Sequence, residues 1–292
     1  MNWSRALPLV SIPAMLVLVE ALALLLSLPM QTAGITAFED PESVANPLIF
    51  IVILLAFTAF LLLLLRYKWK KFITIIIGLS IFFTFIYIFY AIMANFLASI
   101  PFILGITLAL SLFSTALLYL YPEWYIIDTF GILIAAGAAS IFGISLTVLP
   151  VIILLVILMV YDAISVYKTK HMITLAEGVI DMKSPILFIV PKRRGYSYIR
   201  EGIGDISGGE RAAFVIGMGD LIMPSILVVS AYFFLHTAHG ILPALGAMIG
   251  SVIGLTLLMT VVQKGKPQAG LPPINGGAII GFLAGYGISF LV

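Results

Sequence analysis

Two aspartates carry the chemistry available to this sequence. Asp220 closes the run Gly217-Met218-Gly219-Asp220 and is the only charged residue between Ala212 and Leu235. Asp162 follows Tyr161 in an earlier apolar run, six residues before Lys168. A carboxylate at membrane depth costs roughly 2.5–3.5 kcal/mol on insertion scales, so each reads first as a functional group. With a helical rise of about 1.5 Å per residue, Asp162 lies roughly 9 Å inside the boundary marked by Lys168, and Asp220 roughly 14 Å inside that marked by Arg211. The two runs are antiparallel, so both acids reach similar depth from one side. Two close carboxylates cannot both ionise cheaply and share one proton. The ionised member can take a proton from water, while the protonated member polarises a carbonyl and later protonates a leaving amine. The same pair also fits a structural proton-sharing contact, or the relay of a proton-coupled transporter or cation channel. Gly217 and Gly219 remove side chains just before Asp220, which lets another backbone approach or the helix loosen.

These acids need a scaffold that holds them in the bilayer. The chain has 292 residues, 62% hydrophobic and 10% charged, against about 25% charged in soluble domains. It reads as an all-α polytopic membrane protein. A spanning helix needs about 20 apolar residues, and nine segments qualify: 7–29, 47–65, 72–94, 98–121, 125–146, 148–167, 212–235, 241–262 and 273–292. The first run is too long for a signal-peptide core and contains Glu20, so it counts as a helix. Under this count all 15 Lys and Arg residues fall on one side, while the first opposite loop carries Glu39, Asp40 and Glu42. The N-terminus is therefore expected in the cytoplasm and the C-terminus outside. The chain divides into 1–167, six helices with Asp162 in the sixth; 168–211, a cytoplasmic loop; and 212–292, three helices with Asp220 and Pro272-Pro273-Ile274. Within the loop, His171 to Lys183 fits a short amphipathic helix through Ile173, Ala176, Val179 and Ile180. Ser184 to Pro191 is apolar but too short to span, and Lys192 to Glu210 is glycine-rich and charged.

The remaining candidates are weaker. Glu20 is deep and has no partner legible in sequence; a hydrogen bond to another helix is expected. Asp128 stands near the cytoplasmic end of its helix, where it can reach water. Gly202-Ile203-Gly204-Asp205 repeats the pattern of 217–220, but in a polar loop where glycines make turns. His236 and His239 lack an acidic neighbour, and cysteine is absent, so neither a metal nor a cofactor site is expected. The net charge of +2 points to no nucleic-acid partner. Leu271-Pro272-Pro273-Ile274 precedes Asn275-Gly276-Gly277 at the last helix. Adjacent prolines donate no backbone hydrogen bond and favour extended chain. They mark either an irregular stretch whose edge could hold an unwound peptide or a plain helix start.

Tyr161-Asp162, Gly217-Met218-Gly219-Asp220 and the proline motif opening the ninth helix together resemble the presenilin and signal-peptide-peptidase family of intramembrane aspartyl proteases. The resemblance covers the whole chain, is strongest from the sixth helix onward, and looks like that of a prokaryotic presenilin-like member. It implies Asp162 and Asp220 as catalytic residues, with Tyr161, Gly217, Gly219, Pro272, Pro273 and Ile274 supporting them or contacting substrate, and no metal. The family's third motif reads Pro-Ala-Leu. Its place before the last helix is held here by Pro272-Pro273-Ile274, while the literal Pro243-Ala244-Leu245 lies one helix earlier, near a helix start. The expected orientation looks like that of presenilin rather than the inverted signal peptide peptidases. Prepilin-type peptidases share GxGD but cut at the cytoplasmic face, which the positions within spans argue against. The implied partners are the bilayer, expected to be the cell membrane, and transmembrane helices of substrate proteins; no obligatory partner subunit is evident, and a homo-oligomer is compatible with the sequence.

Overall fold

The computed structural model describes residues 3–169, 185–193, 195–203, 212–262 and 268–291. The expected amphipathic helix over His171 to Lys183, and Gly204 and Asp205 of the loop motif, lie outside the described residues. Among the described residues, nine helices are long and apolar enough to cross a bilayer. They are α1 (Trp3–Thr32), α2 (Ala45–Arg66), α3 (Lys70–Phe96), α4 (Ile100–Leu120), α5 (Trp124–Ser145), α6 (Val148–Ile164), α7 (Met218–His239), α8 (Leu242–Val262) and α9 (Leu271–Ile288).

Small residues set how closely these helices pack. The hydrophobic effect does not drive apolar helices together in lipid, so close van der Waals contact and interhelical hydrogen bonds hold the bundle. Helices α1, α5 and α7 form its centre. Ile12, Leu16, Val19 and Ala23 make one buried stripe of α1, and α5 buries Ala135, Ala136 and Ala139. Helices α8 and α9 form the most extensive pair. Gly246, Gly250 and Gly254 on α8 face Gly277, Gly281 and Gly285 on α9, and a Cβ at any of them would strike the facing backbone. Helix α2 is peripheral and buries only Asn46, Pro47, Leu61 and Leu64. Large apolar side chains such as Leu25, Ile53, Phe113 and Leu283 point outward, as lipid-facing positions do.

Glu20 finds the partner that sequence could not show. It is fully buried, and its Oε1 accepts a hydrogen bond from Ser251 Oγ of α8 at 2.7 Å. The two histidines are engaged as aromatic and polar packing groups. His236 stacks on Tyr232, and His239 lies within hydrogen-bonding distance of Ser289 Oγ, 3.2 Å from Nδ1.

One part of the architecture departs from the all-helical expectation. Leu187–Pro191 (β1) pairs antiparallel with Ala213–Gly217 (β2). The run expected as one span over 212–235 is therefore a strand followed by a helix that begins at Met218. Val215 and Ile216 favour pleated chain, and the residues of β1 bury against α5. Flanking bonds from Lys192 N to Ala212 O and from Met218 N to Ile186 O fix the register parity. The even-numbered residues bond across the pair, and the odd-numbered residues point their N–H and C=O groups outward. Pro191 thus sits where its missing N–H removes no ladder bond. The outward N–H of Ile189 donates to Asp128 Oδ1 at 2.8 Å. Asp128 is buried rather than solvated, and it closes the outer edge of β1. Glu123, at the start of α5, accepts from Ser197 Oγ at 2.5 Å and from Tyr198 N at 2.9 Å. Two acids of α5 therefore tie the chain around the hairpin to the bundle.

Candidate active site

Three element ends meet at the aspartates. Asp162 lies in the last turn of α6, just before the π-helical turn Ser165–Thr169. Such turns recur at functional sites because they re-aim side chains. Asp220 lies in the first turn of α7, directly after β2, where the helix dipole favours an acid. The third end is residues 268–270 leading into α9.

The start of α9 explains how the acids are held. The first four N–H groups of a helix have no partner within it. Here they belong to Gly270, Leu271, Pro272 and Pro273, and the two prolines have none to offer. Of the remaining two, Leu271 N donates to Asp162 Oδ2 at 3.0 Å. Asp162 therefore caps α9 from a different helix. Asp220 meets the same segment from the other side. A Cβ on Gly270 would lie 2.9 Å from Asp220 Oδ2 and 3.1 Å from its Cγ. Gly270 has φ −81° and ψ −43°, an ordinary helical conformation. Glycine is needed there for clearance and not for backbone shape. Both carboxyl groups therefore lie against the same Gly270-Leu271 segment. Asp162 is buried and Asp220 half-buried.

The other expected site residues divide. Gly217 caps α7, and a Cβ there would lie 3.7 Å from Asp220 Oδ2, an ordinary contact. Gly219 is exposed, with open space around it. The carbonyl of Tyr161 accepts from Ser165 Oγ at 2.5 Å, which helps shape the turn after Asp162. Pro272, Pro273 and Ile274 do not form an extended stretch: they lie in the first turn of α9. Proline fits that turn because its fixed φ is helical and no intrahelical donor is lost. Pro272 and Pro273 line a cavity of about 260 Å³ together with Ala163, Tyr167, Leu257 and Val261. Ile274 is fully buried in the α8–α9 packing. Pro243 and Ala244 are buried in α8, with Pro243 Cα against Gly285.

Sequence reasoning passed over Tyr167, Gln268, Ala269 and Gly270, and it named Leu271 only as the start of the proline motif. Tyr167 Oη donates to Gln268 Oε1 at 2.8 Å and accepts from Ala269 N at 3.3 Å, so it fixes the segment that reaches both acids. A glycine immediately before Leu-Pro-Pro was the available signal.

No curated protein matches the chain. A family model described as signal-peptide peptidase, presenilin aspartyl protease matches residues 13–290. The fold is similar to a presenilin family intramembrane aspartate protease solved in a C222 crystal, with TM-score 0.73 and 50% identity over 97% of this chain and 100% of the other. The P2 crystal of a presenilin family intramembrane aspartate protease gives TM-score 0.72 and 51% identity over 97% and 98%. The chain therefore belongs to the signal-peptide-peptidase and presenilin family of aspartyl proteases, and it is an intramembrane aspartic endopeptidase rather than a transporter.

Proposed function

We propose that Asp162 and Asp220 are the catalytic pair, and that they cut peptide bonds within transmembrane segments of other proteins. The observation that carries this is the Gly270-Leu271 backbone: the Leu271 amide binds Asp162, and a Cβ at Gly270 would lie against the Asp220 carboxyl. With one proton on the pair, the ionised acid takes a proton from a water whose oxygen attacks the scissile carbonyl carbon. The other acid gives its proton to the carbonyl oxygen. In the second step the C–N bond breaks: the acid that took the water proton gives it to the leaving nitrogen, and the other acid takes the proton of a hydroxyl on the tetrahedral carbon, which returns the pair to one proton and leaves a carboxylic acid.

The substrate must unwind before it is cut, which exposes its backbone donors and acceptors in lipid. Strand β2 offers them partners. Its odd-numbered residues Ala213, Val215 and Gly217 face away from β1, in a sheet of two strands among the described residues. An extended substrate added to that edge runs directly toward Asp220. The cavity beside Pro272 and Pro273 takes a neighbouring side chain. We place the N-terminus in the cytoplasm, the C-terminus outside, and the protein in the cell membrane, on the one-sided basic residues. The test is to incubate the purified chain with a single-span substrate and map the products by mass. Asp162→Asn and Asp220→Asn should each abolish the products. Substantial cleavage by Asp220→Asn, with contaminating protease excluded, overturns the assignment.

A further inference from the structure

A second cavity, of about 380 Å³, lies on the β1 side of the hairpin between α1 and α5. It shares no lining residue with the cavity beside the aspartates. Its volume falls within the ~300–1,000 Å³ range of small-molecule sites. Leu7, Met15, Trp124 and Val190 supply apolar and aromatic walls. Most of its polar groups are already engaged. Ser11 Oγ donates to Leu7 O at 2.8 Å, Tyr196 Oη donates to Gly202 O at 2.6 Å, and Arg193 pairs with Glu201. Asp128 differs. It is 4% exposed; Oδ1 holds the Ile189 amide, while Oδ2 is buried and has no hydrogen-bond partner among the described residues.

A buried acceptor without a partner carries a penalty of about 1–3 kcal/mol, more if charged. A ligand that donates to it relieves that penalty. We propose that this cavity binds an amphiphilic amine, with its ammonium head against Asp128 Oδ2 and its apolar chain along Leu7, Met15 and Val190. Trp124 lines the same cavity, and an indole can hold an ammonium through a cation–π contact. The Arg193 guanidinium does not oppose the cation, because Glu201 neutralises it. The head can belong to a free alkylamine or to an amine-bearing lipid. This proposal stands independently of the catalytic assignment.

The test uses the full chain in phosphatidylcholine nanodiscs, with Trp3→Phe and Trp69→Phe leaving Trp124 as the sole tryptophan. Bromodecylamine is titrated against bromodecanol while Trp124 quenching is read, and thermal unfolding confirms that each variant is folded. The amine should quench saturably at concentrations about tenfold below the alcohol. Asp128→Asn, whose amide oxygen still accepts from Ile189, should erase that preference. Ser11→Phe, which fills the cavity from α1, should erase saturable quenching. In a second arm, brominated phosphatidylethanolamine is compared with brominated phosphatidylcholine. Selective quenching by the former identifies an amine lipid as the occupant; equal quenching with the alkylamine preference intact identifies a soluble amine. Equal quenching by amine and alcohol overturns the proposal, as does an amine preference that survives both Asp128→Asn and Ser11→Phe.

Discussion

Gly270→Ala should separate activity from stability. The new methyl carbon would start 2.9 Å from Asp220 Oδ2, 3.1 Å from Cγ and 3.3 Å from Oδ1. That is roughly 0.5 Å inside ordinary contact for the nearest atom. The Leu271 amide is fixed on Asp162, which holds this backbone in place, so the Asp220 carboxyl is the side that moves. Catalytic constellations tolerate displacements of about 0.5 Å, and a misplacement of about 1 Å costs on the order of 100-fold. The expected fall in kcat/KM is therefore about 10–100-fold, or about 1.4–2.7 kcal/mol of barrier. Stability should respond differently. Residue 270 is already in the helical region, and Gly→Ala at such a position ordinarily gains about 0.4–1 kcal/mol by restricting the unfolded chain. Part of that gain is offset by the crowding. The midpoint of thermal unfolding should stay near or above that of the parent while cleavage collapses. The assay is single-span substrate cleavage read by mass, alongside a thermal scan of the same preparation. A variant within about threefold of the parent kcat/KM would refute the claim that Gly270 sets the position of Asp220.

The double variant Asp162→Asn/Asp220→Asn should be no worse than either single one, because the acids act as a unit, and Asp205→Asn should keep near-normal activity. The pH–rate profile should be bell-shaped, with limbs that belong to the pair rather than to either residue; a single-limbed profile would contradict a shared proton. Pro272→Ala and Pro273→Ala should each weaken cleavage more than Pro243→Ala, because each adds an N–H to the helix start that Asp162 caps; cleavage rates at matched expression decide it. Single cysteines near Glu42 and Val292 should label only from outside, and one near Arg193 only from the cytoplasm; cytoplasmic labelling near Val292 would break the orientation. Ser251→Ala should lower stability by about 1–3 kcal/mol by leaving the buried Glu20 carboxyl without its donor, whereas Glu20→Gln should be closer to neutral, as denaturation of both variants would show.

The spans were legible because hydrophobic length is a local property, and the two acids because a charge in an apolar run stands out. The strand 213–217 was not. It continues without a polar break into α7, and a short apolar run has the same composition as strand or helix. Val215 and Ile216 followed by Gly217 were the only cue. Adjacent prolines favour extended chain in isolation, yet they occupy the first turn of α9 here, where a missing N–H removes nothing the helix uses. Partners distant in sequence were out of reach: Ser251 lies 231 positions from Glu20, and Ile189 lies 61 from Asp128. Gly270 was missed for a related reason, since its role is clearance between two residues that only the fold brings together.

The placement of the site at element ends follows from the solvent. A continuous helix in lipid uses every backbone group internally and has none to offer a reacting peptide. Polar backbone becomes available only where an element starts or stops. Three such places converge here: the end of α6, the β2–α7 junction and the start of α9. Each carries a feature that would be unfavourable against lipid alone. At α6 it is an acid, at β2 an outward strand edge, and at α9 an unpartnered helix start. Brought together, they satisfy part of one another's demand. Asp162 takes the Leu271 donor of α9, and the helix start of α7 favours the charge of Asp220. The edge of β2 is left over. Its N–H and C=O groups that face away from β1 among the described residues, leading to the acids, are what an unwound substrate segment needs. On this reasoning a proline at Val215, which deletes an outward N–H without touching the β1 ladder, should impair cleavage mainly through KM, with kcat changed less. A Val215→Ala control separates loss of the donor from loss of the side chain. If Val215→Pro folds and retains the parent KM, the substrate does not pair with β2.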